Sequence, residues 1–201
     1  MSSEQSSGEG KDWLLYNKRM RPHRLAKLRA YARDYFEPVL ESFPELKGKV
    51  SLTVRKEGWF AEYKPRLHII VRESDLDNPL PWRIRHITAH ELVHLLQFEN
   101  SIGVGERRKA FELQADFLAF ARGFAYDFLM RFRTECQRDP CDHQFKTTYF
   151  RCRDLFRESC KALSPAQLKA RAGRLHTLAQ EHDGWELRDY RKMVSQGLLD
   201  D

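Results

Sequence analysis

Hydrophobic positions recur at two periods along this chain, and each change of period marks an element. In residues 22–43, Leu25, Leu28, Tyr31, Tyr35, Phe36, Val39 and Leu40 follow mostly at spacings of three and four, which predicts an amphipathic helix. Pro22 suits its first turn, and Pro38 is expected to kink it or end its first part. After Pro44 the period shortens. Val50, Leu52 and Val54 alternate with Ser51, Thr53 and Arg55, as in a half-buried strand. Gly58 marks a turn, and residues 59–63 and 67–72 read as two further strands. The expected result is a small, mostly antiparallel sheet.

A loop with two prolines, SDLDNPLP, separates these strands from a second helical stretch over 82–99, whose apolar face is Ile84, Ile87, Leu92, Leu95 and Leu96. The segment NSIGVG at 100–105 breaks it. A long aromatic-rich helix is then expected from about 106 to 132, through Phe111, Phe117, Phe120, Phe124, Phe128 and Met130. The last third is also helical, with one candidate at 145–163. Ser164 opens another, with Pro165 at its first position and Gln167 placed for a capping box. A break at Gly184 precedes a final short helix.

Composition narrows the class. The chain has 201 residues, of which 41% are hydrophobic and 32% charged, enough to bury a core in a soluble globular domain. No stretch approaches the roughly 20 apolar residues of a membrane helix. The first residues, MSSEQSSGEGKD, lack the basic-then-apolar pattern of a secretory signal, so a cytoplasmic location is expected. Residues 1–11 read as a disordered tail, 12–132 as the core domain and 133–201 as a helical C-terminal extension. The net charge of +6 comes from basic residues scattered among 29 acidic ones, which favours a solvated surface over a dedicated nucleic-acid face.

Residues 90–94 read His-Glu-Leu-Val-His. On a helix, positions i and i+4 share one face. His90 and His94 can therefore bind one zinc ion, while Glu91 can reach a water on that ion as general base without being a ligand. A catalytic zinc usually keeps three protein ligands and one open position. The next helix carries Phe-Glu-Leu-Gln-Ala-Asp at 111–116. Glu112 is the candidate third ligand. Asp116, one turn further on, can accept the free ring N–H of a zinc-bound histidine and fix its tautomer. Small Ala115 would let the two helices approach.

The pair of motifs, His90-Glu91-Leu92-Val93-His94 and Glu112-Leu113-Gln114-Ala115-Asp116, resembles the gluzincin zinc metallopeptidases, and among them compact members such as minigluzincins and ImmA/IrrE-like proteins. The resemblance spans about residues 50–125. ImmA/IrrE-like proteins typically carry Asn where this chain has Asp116, which favours the broader gluzincin grouping. The resemblance implies an α+β fold, with the small sheet packed on an active-site helix and a second ligand helix. It implies His90, His94 and Glu112 as metal ligands, Glu91 as the base and Asp116 as their support. The activity implied is an endopeptidase acting on a peptide or protein substrate, which an edge strand can bind in extended form.

Larger gluzincins also use a side chain to stabilise the oxyanion; Tyr126, His143, Tyr149, His176 and His182 are downstream candidates, each more readily explained by a surface or core role. His68 and His86 read as structural, although His86 precedes His90 by one turn. Cys136, Cys141, Cys152 and Cys160 cluster in the chain; reduced thiols, one or two disulfides and a structural zinc site remain open, the last weakened by the lack of a Cys-x-x-Cys knuckle. The alternative function is a regulatory or DNA-associated module that keeps the zinc site and uses Lys169, Arg171, Arg174, Arg188, Arg191 and Lys192.

Overall fold

The computed structural model describes residues 20–56, 60–62, 67–99, 108–135, 160 and 162–181. Helix α1 (Pro22–Tyr31) widens into a π-helical turn (Ala32–Phe36) and ends as the short α2 (Glu37–Leu40). Pro38 accounts for the widening. It has no N–H to donate, and its ring crowds the carbonyl one turn back. The chain responds with a wider pairing, in which the Glu37 N–H donates to the Ala32 carbonyl. The apolar stripe passes through this bulge intact, with Leu28, Tyr31, Phe36 and Val39 all buried.

Strands β1 (Val50–Arg55), β2 (Phe60–Glu62) and β3 (Leu67–Arg72) form one sheet in the order β1-β3-β2. The expected mostly antiparallel sheet is not what forms. Its longer ladder is parallel, β1 on β3 from Val50↔Leu67 to Arg55↔Arg72. Only the short β2–β3 ladder, Phe60↔Ile70 to Glu62↔His68, is antiparallel. Alternation along a strand reports which face is buried and carries no information on partner direction. Here β2 passes to the far side of β3, so the first and third strands run the same way. Central β3 buries Ile69, Ile70 and Val71 in succession, as a strand covered on both faces does.

The proline-containing loop holds a short helix, α3 (Glu73–Asp77). Its buried Asp75 accepts a 3.0 Å bond from Arg83 Nη1 and fastens the start of α4 (Pro81–Glu99). Pro81 takes the first helical position, and the Leu80 carbonyl receives the Ile84 N–H at 3.0 Å.

The long helix expected over 106–132 is two helices, α5 (Arg108–Ala121) and α6 (Ala125–Glu135). Gly123 ends the first at φ +96°, a left-handed conformation that favours glycine. The Gly123 N–H bonds the Phe120 carbonyl at 2.9 Å, and the Phe124 N–H bonds that of Ala119 at 3.0 Å, the reciprocal pattern of a Schellman stop. The aromatic spacing continues across this turn, which is why the sequence reads as one helix. The helix predicted from Ser164 is present as α7 (Pro165–Glu181). Its capping box forms in both directions: Ser164 N–H to Gln167 Oε1 at 2.8 Å and Gln167 N–H to Ser164 Oγ at 3.3 Å.

Two apolar clusters share α5. Its Ala115 and Ala119 join α1, α2, the sheet and α4 in one core. Its Phe117 and Phe120 join α6, Cys160 and α7 in the other. Helix α4 lies antiparallel along α6. Trp82 Nε1 donates to Thr134 Oγ1 at 3.2 Å, and Arg85 lies 3.3 Å from Asp127. Among the described residues no helix is long and apolar enough to cross a membrane. The N-terminal tail, the break at 100–105, most of the helix expected at 145–163 and the final short helix lie outside the described residues.

Candidate metal centre

The polar side chains of α4 stand on one buried stripe. His86, His90 and His94 follow at intervals of four, and Gln97 completes the row; all four are buried. Helix α5 sets Glu112 and Asp116 one turn apart against that stripe. The Nε2 atoms of His90 and His94 are 3.0 Å apart. Glu112 Oε2 lies 3.2 Å from the first and 3.6 Å from the second. Three atoms with those separations are equidistant from a point about 1.9 Å from each in their plane. Donors spaced in this way are close enough together to share one ion at the roughly 2.0–2.1 Å usual for zinc. His90, His94 and Glu112 can hold a metal ion. His86, His90 and Asp116 form a second, fully buried set that could do so.

The two histidines are held from behind. His90 Nδ1 donates to Asp116 Oδ1 at 2.8 Å, and His94 Nδ1 donates to Gln97 Oε1 at 2.7 Å. The Gln97 amide is itself oriented, because its Nε2 donates to Gln114 Oε1 at 2.8 Å. With each Nδ1 held as a donor, a metal ion has only Nε2 protons to displace, and each Nε2 lone pair then serves the shared point. Asp116 thus lies behind His90, and Gln97 and Gln114 lie behind His94, a pair the sequence pattern did not single out. Their signal was present: Gln97 follows His94 by one helical turn. The His90 and His94 side chains are 8% and 11% exposed and that of Glu112 is 34%, so the cluster is reached from the Glu112 side.

Charge follows the same geometry. Burial opposes a charge on His90, but Asp116 and Glu112 outweigh it and raise the imidazole to about 9. Burial would raise the Glu112 carboxyl, yet its bonds to His90 and His94 hold it far below the usual carboxylate range. Glu91 is half-buried beside His90, close enough for its charge to favour the imidazolium.

His86 lies within this cluster rather than apart from it. It is fully buried, packed edge-on to Phe128 with centroids 4.9 Å apart, and 3.2 Å from Asp116 Oδ1. Burial, the dominant influence, lowers it to about 3, so it is neutral at ordinary pH. His68 sits on β3, 3.4 Å from Ser51 Oγ. Of the oxyanion candidates, His176 lies 2.7 Å from the Phe120 carbonyl and ties α7 to α5, and Tyr126 is exposed on α6. His143, Tyr149 and His182 lie outside the described residues, as do Cys136, Cys141, Cys152, Arg188, Arg191 and Lys192. Cys160 is buried in the second core. Of the α7 cations, Lys169 and Arg174 are exposed whereas Arg171 is buried.

No family model, curated protein or solved structure matches this chain.

Proposed function

We propose that this chain is a zinc-dependent peptide-bond hydrolase. The observation that carries the proposal is the convergence of His90 Nε2, His94 Nε2 and Glu112 Oε2 on one point, each histidine backed by its own acceptor. Two imidazoles and one carboxylate suit zinc by donor type, and three ligands leave a position open. Zinc bound there supplies a Lewis acid for a carbonyl and a water acidified toward a pKa of about 7.

The chain's residues divide the remaining work. His90, His94 and Glu112 hold the ion. Asp116 and Gln97 keep both rings in the binding tautomer. Glu91 takes the proton from the attacking water and returns it to the leaving amine. Strand β2, an edge of the sheet, packs against α4 and sets a strand edge beside the helix that carries the site. An extended peptide can add to such an edge through its backbone.

The test compares zinc-loaded wild type with Glu91→Gln on unfolded protein and on a peptide library. Glu91→Gln should keep its zinc and lose cleavage by about 100-fold or more. Zinc-loaded wild type that cleaves nothing, or a Glu91→Gln variant as active as wild type, sinks the proposal.

A further inference from the structure

His86 shares the buried stripe of His90 and His94, yet the Nε2–Glu112 cluster is built without it. Its two ring nitrogens have different neighbours. Nδ1 lies 3.2 Å from Arg131 Nη1, on α6, and Nε2 lies 3.2 Å from Asp116 Oδ1, on α5. A guanidinium only donates hydrogen bonds. The Nδ1 of His86 must therefore accept, and its single ring proton must stand on Nε2. From there it donates to Asp116 Oδ1. The same oxygen accepts the His90 Nδ1 proton at 2.8 Å. His90 consequently turns an unprotonated Nε2 toward the metal point whenever a cation competes for it.

The donors and acceptors thus have a single consistent order, and Arg131 sets its direction, because its guanidinium cannot give up its proton. Burying Asp116 at 2% exposure with two imidazole donors on one oxygen is costly unless each bond is made. Helix α6 is held in place for this contact by the Trp82–Thr134 and Arg85–Asp127 pairs along the same seam.

Resting on the metal-centre reading above, we propose that Arg131 and His86 are positioning residues for the metal site: an Arg131–His86–Asp116 relay fixes the tautomer and ring orientation of the ligand His90 from a third helix.

The experiment uses the full chain labelled with [15N]histidine, loaded with zinc, and read by long-range 1H–15N correlation. His86 should appear as the Nε2–H tautomer and His90 as the Nδ1–H form. Removing a direct partner of a metal-bound histidine typically costs 10–100-fold in affinity. One step further out, Arg131→Leu and His86→Phe should each weaken zinc by about three- to tenfold in chelator competition. Both should shift the visible spectrum of the cobalt-substituted protein. Arg131→Lys, which keeps a cationic donor, should restore much of the affinity and the spectrum. An Nδ1–H tautomer of His86 in the wild type overturns the relay, and this readout stands even where a variant does not fold. Wild-type zinc affinity and cobalt spectra in both Arg131→Leu and His86→Phe also overturn it. Wild type that binds no zinc overturns the metal-centre reading and the relay together, whereas zinc-binding wild type with indifferent variants removes the relay alone.

Discussion

Glu112→Ala separates the metal site from the fold. The Glu112 side chain is 34% exposed and meets only the rim of the cluster, at 3.2 and 3.6 Å from the two imidazoles. It fills no core, and alanine is the best helix former. Substitution removes its bonds to the two imidazoles, so folding stability in excess chelator should fall by about 1–2 kcal/mol. Metal binding should respond more strongly. A full set of structural zinc ligands supplies about 10–16 kcal/mol near neutral pH, so one donor of three or four is worth about 3–4 kcal/mol. That is roughly a hundred- to thousandfold in Kd. Competition against a chromophoric chelator measures the affinity, and thermal melts in excess chelator measure the fold separately. A Glu112→Ala protein that melts like wild type and binds zinc like wild type would remove Glu112 from the site, and with it the three-donor argument.

Asp116→Ala leaves two buried imidazole N–H groups, on His86 and His90, without their acceptor. At about 1–3 kcal/mol for each such group, urea unfolding should lose about 2–6 kcal/mol, and zinc affinity should fall about 10–100-fold; an unchanged urea midpoint contradicts the assignment. The raised His90 sets a pH dependence. With chelator present, its contribution to stability is complete below the ordinary histidine value near 6.5 and is lost as pH rises through about 9, which a series of melts will show. Zinc displaces that proton, so between pH 7 and 8 the apparent affinity should rise about tenfold, and a flat profile refutes the shift. Gly123→Ala should cost about 1–2 kcal/mol, because an added Cβ meets nothing within 4 Å and the penalty is backbone strain alone. Gly123→Asn should cost less, and equal urea midpoints for all three proteins would count against the left-handed stop.

Local physics was readable and long-range pairing was not. The α7 capping box involves residues three apart, so it could be anticipated from adjacent positions. The β1–β3 pairing joins residues seventeen apart, Val50 with Leu67, and strand alternation says nothing of direction. The π turn was half-visible. Pro38 announced a disturbance, but whether the helix bends, stops or widens depends on the core that Leu28, Phe36 and Val39 share with α4.

The site divides along the same line. His90 and His94 are one turn apart, and so are Glu112 and Asp116, so helix geometry alone pairs them. His86 sits at the same interval and was visible as a position, but its role depends on Arg131. A single helix through Gly123 would set the Cα atoms of residues 116 and 131 about 22 Å apart at 1.5 Å per residue. Two side chains and one imidazole cannot bridge that span, yet Asp116 and Arg131 each lie 3.2 Å from the His86 ring. The Schellman stop resolves the conflict by turning α6 back along α4. Reading through Gly123 as one continuous aromatic helix therefore hid more than a helix boundary. It also hid the guanidinium that orders the protons behind His90.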